Sequence, residues 1–514
     1  MRYLGLNAAK ILALGIVGAL TIWAGVILVL HGAYGMAVLL VVGAGGINYI
    51  YFSPRAYPLR YLVPGLIFLT AFVVYPIGYT ISVSFTNLGT GHLLTKEQAI
   101  EQITGRFFVP PDAPAYTYDA FQDQNGDLAI LLHVDANDLL FFQGELSPVR
   151  YPDERFVDED GDGKPDRFLS YARMSMPQII KALPRLESLV IPYMDKAFRL
   201  NSLTAFKLAT RRYSYDAEKD EMVDRETGKV YRAVDGFFTS SDGEELYPGF
   251  KVWLGWKNYV SLVLNPAVAG PFGRVFLWTI LFAAGSVLTT FALGLILALL
   301  LNDPYLRLRR IYRVLVIVPY AIPAFISILI WKGLLNTNMG IINNVLLNIF
   351  HFYIPWLDNP IWAKVSILLV NLWLGYPYMM IVSLGALQSI PGELYEAALV
   401  DGAGWWDRFS KITLPLLLMP LAPLLIGSFA FNFNNFTLIW LLTKGGPPIP
   451  GAQTAAGSTD ILISYTYKLA FEGARGNQMG LAAAVSMIIF IIIATISAFN
   501  FRLTGALEDL SKNV

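Results

Sequence analysis

The 514-residue chain contains no cysteine. No disulfide framework, thiol nucleophile or cysteine-based metal site can be built from it. Charge is scarce as well. Only 15% of residues are Asp, Glu, Lys or Arg, against 55% hydrophobic, where an ordinary soluble domain carries roughly a quarter charged residues. A simple cytosolic enzyme is excluded on that ground. There are four histidines, His31, His92, His133 and His351, scattered and without an HExxH pair. No GxxxxGK[ST] loop is present to cradle a nucleotide phosphate. No concentrated basic surface marks a nucleic-acid binder. The formal net charge of zero hides an asymmetry: residues 87–270 hold 28 acidic and 20 basic residues, and the remainder 10 acidic and 18 basic.

What the chain has in quantity is long apolar runs. Eight uncharged stretches stand out: Ile11–Leu30, 33–52, Tyr61–Phe85, Val275–Leu301, Val314–Trp331, Val365–Leu387, Ile412–Leu442 and Met479–Phe501. Each reaches the ~18 residues needed to cross a ~30 Å hydrocarbon core as a helix. The fifth carries Pro319 and Pro323, which blur its ends. The first follows Arg2 and Lys10, as a signal peptide would. His31-Gly32 and its neighbours form a poor cleavage site, however, and a second span follows at once, so an uncleaved anchor and a tight hairpin are expected. Basic residues near span ends set orientation. With the N-terminus inside, 12 of them fall in the cytoplasm: Arg2, Lys10, Arg55, Arg60, Arg307, Arg309, Arg310, Arg313, Arg408, Lys411, Arg502 and Lys512. The short outer segments hold few: Lys332, Lys364, Lys444, Lys468 and Arg475. Both termini are then cytoplasmic, and the acidic block 87–270 lies outside.

Within that block, short apolar runs such as Leu128–Val134 alternate with Gly/Asp turns, which predicts a mainly β domain. The stretch Pro177–Arg212 reads as more helical, cut by Pro184 and Pro192. Asp158-Glu159-Asp160-Gly161-Asp162-Gly163-Lys164-Pro165-Asp166 places carboxylates at relative positions 1, 3, 5 and 9 with glycine at 6, the start of a calcium loop. Position 12, normally glutamate, is Leu169. Asp158, Asp160, Asp162 and Asp166 are therefore candidate calcium ligands, and a solvated acidic turn is the competing reading.

No span interior carries Asp, Glu, Lys, Arg or His, which speaks against an ion-coupled carrier and for an uncharged cargo. Energy for transport would have to enter through another chain. The polar chemistry sits elsewhere in the spans. In the seventh, Ser428, Phe431, Asn432 and Asn435 follow i, i+3, i+4, i+7 and would share one helix face, with Asn434 off it. In the sixth, Asn371, Leu374, Gly375 and Tyr378 repeat that spacing beside Pro377. An aromatic ring among amides and hydroxyls suits a sugar. Amides that bond one helix to another are the alternative. Between these two spans lies Pro391-Gly392-Glu393-Leu394-Tyr395-Glu396-Ala397-Ala398-Leu399-Val400-Asp401-Gly402-Ala403-Gly404. It predicts a helix with acidic residues at its positive end, a sharp glycine turn, and a second short helix at the cytoplasmic face. The small Ala397 and Ala398 would let another protein approach. A lipid-resting amphipathic helix is the alternative.

Glu396-Ala397-Ala398, Gly402, Ile412 and Leu414-Pro415 complete the pattern EAA-x3-G-x9-I-x-L-P. It resembles the loop by which permeases of ABC importers dock on their ATPases. The span count, the large outer insert after the third span, Trp373–Met380, Ser428–Phe436 and Gly255-Trp256-Lys257-Asn258 resemble the maltose/maltodextrin permease family in particular. The resemblance implies a non-catalytic subunit that binds no cofactor itself. It would pair with a second, smaller permease and a homodimeric ATPase that hydrolyses ATP. A periplasmic maltose-binding protein, gripped by the Ig-like periplasmic insert, would deliver sugar to a mid-membrane site in the inner membrane of a bacterium. Leu374, Gly375, Tyr378, Ser428, Phe431, Asn432 and Asn435 match the family's sugar contacts; Asn371 is added by periodicity alone.

The expected organisation is an all-α polytopic protein of eight transmembrane helices with a mainly β insert. A membrane hairpin occupies 1–60, a third span 61–86, the insert 87–270, and the permease core 271–510 with its docking loop at 388–415. A membrane-anchored sensor is the rival class, but the largest inside loop, 388–411, offers it no output module. Another neutral oligosaccharide is the rival cargo.

Overall fold

Backbone groups in a hydrocarbon layer must bond within their own segment, so apolar runs become helices. The computed structural model describes residues 2–32, 34–134, 137–150, 153–303, 305–452, 454–473 and 476–512. It has two compact units, divided between Ser82 and Val83.

In the first unit, α1 (Arg2–Leu30) packs on α2 (Tyr34–Phe52). The expected hairpin is present as far as Gly32, which takes φ 72°; Ala33 lies outside the described residues. Arg60 closes the far end, donating to the carbonyls of Ile50 and Ser53 at 3.1 and 3.2 Å. Next come α3 (Leu59–Leu69) and α4 (Tyr75–Ser84), joined by a π-turn at Thr70–Val74 into one run.

The second unit opens with the insert. A capping box at Thr95 starts α5 (Lys96–Thr104). The first sheet draws on β1 (Phe107–Phe108), β2 (Ala115–Gln122), β3 (Leu128–Leu132), β4 (Asp138–Phe142) and β5 (Glu145–Val149). It continues through β6 (Phe156–Val157), β7 (Arg167–Phe168), β8 (Tyr171–Arg173), β9 (Ile191–Tyr193), β10 (Lys196–Ser202) and β11 (Ala205–Arg211). Its main path runs β5-β4-β3-β2-β11-β10-β9, antiparallel throughout. The helix α6 (Met176–Ser188) packs on it, burying Ala182 and Leu186 against Ile130, Leu132 and Phe206. A five-stranded meander follows: β12 (Tyr213–Asp216), β13 (Glu221–Asp224), β14 (Val230–Val234), β15 (Phe237–Ser240) and β16 (Glu245–Leu246). Its core of Met222, Tyr231 and Phe238 is covered by Ala99 and Ile103 of α5. The β-rich insert agrees with its turn-punctuated sequence. Pro177–Arg212 does not: helix ends at Ser188, and the rest forms three strands, because Phe198, Phe206 and Leu208 alternate into the sheet core.

The membrane part follows. Asn-Pro pairs start two of its helices. Asn265 caps α8 (Pro266–Asn302), after the short α7 (Lys257–Leu264). Asn359 caps α12 (Pro360–Gln388) and accepts from the amides of Ile361 and Trp362. A side-chain acceptor before a proline at the first helical position satisfies the amides a helix start leaves open. Between them come α9 (Arg309–Ala321), α10 (Ala324–Leu334) and α11 (Ile341–Phe350). The helices α13 (Gly392–Val400), α14 (Trp405–Arg408), α15 (Leu414–Phe433), α16 (Phe436–Leu442), α17 (Leu462–Phe471) and α18 (Met479–Lys512) complete the chain.

Among the described residues, six helical runs are long and apolar enough to cross a membrane: Tyr34–Phe52, Leu59–Ser84, Pro266–Asn302, Pro360–Gln388, Trp405–Phe433 and Met479–Arg502. The expected fifth span is not straight. α9 and α10 meet at 89°, because Ile322 takes an extended conformation ahead of Pro323. The central contact is α8 against α12, where α8 buries Trp278, Phe282, Ser286, Thr290 and Ala298 and leaves Leu277, Leu281, Leu288 and Ile296 exposed. Small residues let the two backbones approach. A Cβ on Gly294 would stand 2.6 Å from Met379 Cβ, and one on Gly375 would stand 2.8 Å from Thr290 Cγ2. The insert is tied to this core at its entry. Asn258 donates to the carbonyls of Ser84 and Thr86, and Gly480 donates to Leu88.

Candidate functional site

The seventh apolar stretch is two helices rather than one. α15 ends at Phe433, and Asn434 leaves helical geometry at φ −112°, ψ 20°. Asn435 then caps α16, its side-chain oxygen accepting from the amide of Leu438. Ser428, Phe431 and Asn432 therefore share α15, while Asn435 begins the next helix and its amide is engaged in capping. The single four-residue face expected from spacing is broken at this point. Asparagine's taste for cap positions was the available signal.

Asn432 is buried. Its Nδ2 donates to the Ser428 carbonyl at 2.8 Å, and its Oδ1 accepts from Asn371 Nδ2 at 2.9 Å. The amide pair bonds α12 to α15, so the helix-joining role read from the sequence is physically present. Each amide keeps further capacity, because a carboxamide offers two donors and two acceptor lone pairs. Beside it Phe431 is 70% exposed, a free ring face at a helix break. On α12, Leu374, Gly375 and Tyr378 lie half-buried on the face that carries Asn371. α12 runs unbroken past Pro377. Gly375 also serves the α8–α12 approach described above. The Asn371–Asn432 bond joins α12 to α15 at this point, next to the exposed Phe431 ring.

The loop between α12 and α15 folds as a helix–turn–helix. Pro391 stands one position before α13, and Glu393 occupies the first turn. Gly402 adopts φ 76°, and Ala403 N–H reaches back to the Ala398 carbonyl at 2.9 Å, the six-to-one bond of a left-handed helix end. Ile412 sits in a π-turn, Phe409–Thr413, and Leu414 and Pro415 open α15. Tyr395 and Thr413 hydroxyls bond at 3.0 Å, fixing α13 against that turn. α13 buries none of its residues. Glu396, Ala397 and Gly402 are exposed, and Val400, Trp405 and Trp406 stand out at 89%, 66% and 65%. Contiguous exposed apolar side chains around a turn mark a contact surface for protein or for lipid.

In the insert, ligand oxygens of Asp158, Asp160 and Asp166 lie within 4.8 Å of one another. Asp162 is not in this group; its Oδ1 accepts from the Lys164 amide instead. Gly161 and Gly163, both at positive φ, donate to Asp158. A cleft of about 1290 Å³ opens beside this loop, with Asp119, His133, Asp138 and Arg173 on its other wall. His133 bridges Asp119 and Asp138 at 3.0 and 3.2 Å. The hydrogen bond to Asp119 raises the His133 pKa above its ordinary value. Burial works to raise the Asp119 carboxyl, but His133 and Arg173 outweigh it, and the net shift is downward.

Comparison with known proteins places these features in context. Residues 290–502 match the binding-protein-dependent transport system inner membrane component family. Residues 67–144 match the N-terminal region of the transmembrane subunit in binding-protein-dependent ABC transporters. The maltose/maltodextrin transport system permease protein MalF of Yersinia pestis is 37% identical over 511 residues, covering 96% of this chain and 94% of that protein. MalF of Escherichia coli K12 is 37% identical over 513 residues, 97% of each. Among solved structures, a bacterial alginate ABC transporter in complex with its alginate-bound periplasmic protein is 27% identical over 49% of this chain and 84% of that one, with a TM-score of 0.41.

Proposed function

This chain belongs to the MalF family of maltose/maltodextrin permeases, and from that premise we propose how its residues hold the sugar and receive the work of ATP. It is the non-catalytic permease subunit of a maltose ABC importer in a bacterial inner membrane, and ATP is hydrolysed on a separate subunit. The observation that carries the reading of the site is the helix break at Asn434–Asn435, with an exposed phenylalanine on one side and amides on both.

Maltose or a maltodextrin lies against Phe431, with Leu374, Gly375 and Tyr378 facing it from α12. Ser428, Asn432 and Asn435 answer its hydroxyls. Glu396, Ala397, Ala398 and Gly402 seat in a homodimeric ATPase, with Ile412, Leu414 and Pro415 carrying its motion into α15. ATP-driven closure of that dimer rotates α15 and opens the site outward. A periplasmic maltose-binding protein unloads there, and hydrolysis returns the site inward. A second, smaller permease closes the other half of the pathway. The sequence boundaries 1–60, 61–86, 87–270 and 271–510 stand as the working division of the chain.

Eight spans give the topology: the six long helical runs, α1, and the bent pair α9–α10. Both termini are cytoplasmic and the insert periplasmic. A reporter active only outside is expected to work when fused near Gly126 and to fail near Arg309. Activity at Arg309, or silence at Gly126, removes this orientation.

The three converging aspartates of the insert hold a structural calcium ion. Calcium is expected to slow tryptic cleavage after Arg167, the exposed basic residue next to the loop, in the assembled transporter. Asp158→Ala with Asp160→Ala abolishes that protection, and Asp162→Ala keeps it. Equal cleavage with calcium and with chelator leaves only a solvated acidic turn.

The test of the proposed site is maltose uptake by reconstituted vesicles carrying variants of Phe431 and its neighbours.

A further inference from the structure

Beyond α16 lies a buried pair of opposite charges. Asp460 is fully buried, and the Lys468 side chain is 10% exposed. Lys468 Nζ donates to Asp460 Oδ2 at 2.8 Å. The carboxylate is further satisfied by Ser464 Oγ at 2.8 Å and the Gly457 amide at 2.6 Å. The backbone folds tightly over it. A Cβ on Gly445 would fall 1.8 Å from Asp460 Oδ1, and Gly445 adopts φ 77°. A buried ion pair is a poor source of stability compared with apolar packing, and its use is to fix geometry.

The geometry it fixes is that of α16. Thr459, next to Asp460, donates to the Gly446 carbonyl at 2.6 Å, and its hydroxyl meets that of Thr443 at 2.8 Å. Its carbonyl accepts from the Trp278 indole of α8 at 3.3 Å, and the Leu462 amide donates to Thr279 Oγ1 at 2.9 Å. Leu438, Ile439 and Leu442 of α16 pack with Trp278, Phe282 and Ile461 in one core. α16 is thus held on α8 from behind, and Asn435 is its N-terminal cap.

We propose that Asp460 and Lys468 are positioning residues for transport, clamping α16 to α8 so that Asn435 stays opposite Phe431 and Asn432 across the break. α15, continuous with the docking loop, then moves against a fixed α16, and the two halves of the sugar patch part as it does. The proposal rests on the sugar-site reading above.

The test uses the complete transporter in lipid nanodiscs and vesicles. Hydrogen exchange reads the clamp without sugar. In Asp460→Asn, protection of amides in Phe436–Leu442 and at Thr459 is expected to fall about tenfold, as a lone buried charge is left behind. Lys468→Arg, which keeps the pair, is expected to hold wild-type protection. Maltose imported per ATP hydrolysed reads the positioning. It is expected to fall at least fivefold in Asp460→Asn, while ATPase stimulation by the binding protein stays within twofold of wild type. Loss of fold alone would lower both together. Should Asp460→Asn not assemble, Asp460→Asn with Lys468→Met, which leaves no unpaired charge, is read in the same way. Unchanged exchange overturns the clamp. Lost protection with an unchanged ratio overturns the positioning role. Asn435→Ala separates the two ideas: if it lowers the ratio while Asp460→Asn does not, the sugar site stands and the clamp's role falls.

Discussion

Gly402→Asp is expected to leave the subunit in the membrane, release the ATPase and reduce maltose uptake at least fivefold. Gly402 holds φ 76° at the end of α13. An L-residue in that left-handed region costs roughly 1–2 kcal/mol, which at RT ≈ 0.59 kcal/mol is about 5- to 30-fold in the population of the turn. Space is not the obstacle, since a Cβ there meets nothing within 4 Å. Gly402→Ala therefore isolates backbone strain, and the aspartate adds a charge to the surface formed by Val400, Trp405 and Trp406. Co-purification of the ATPase with each variant, beside vesicle uptake, is the measurement. Wild-type retention and uptake in Gly402→Asp would remove the docking role from this turn.

Phe431→Ala is expected to weaken the hold on sugar with little effect on assembly. The ring is 70% exposed, so its removal leaves no cavity. Losing a stacked face or a bonded group costs on the order of 1–3 kcal/mol, roughly 5- to 150-fold. Uptake should fall over that range while basal ATP hydrolysis survives. Asn435→Ala should lower uptake too, with an added cost of about 1 kcal/mol for the lost helix cap, visible as a lower melting temperature. Asn432→Ala breaks the bond to Asn371 and should perturb packing as well as sugar. Asn434→Ala, at the exposed break, should be mild. If Asn434→Ala abolishes uptake and Phe431→Ala does not, the assigned face is wrong.

Hydropathy made the membrane helices readable because lipid leaves the backbone no alternative. The helix–turn–helix at Gly402 was equally readable, since glycine at Gly402 and alanines at Ala397 and Ala398 serve local geometry. Three features escaped for physical reasons. Spacing assumes a continuous helix, and the cap at Asn435 interrupts it. The strands after Ser188 are decided by sheet partners far along the chain, which local pattern does not reveal. The Asp460–Lys468 pair joins a loop residue to one on α17, and both charges look solvated until the fold buries them. In the acidic loop, spacing nominated four aspartates, and the turn brought together three.

The most direct measurement of the central claim is ATP-driven maltose accumulation in vesicles. This chain would be reconstituted with its partner permease and ATPase, with the periplasmic binding protein added outside. The account predicts accumulation that needs both ATP and the binding protein and that drops sharply with Phe431→Ala. Undiminished accumulation when Phe431, Leu374 and Tyr378 are all replaced by alanine would contradict it.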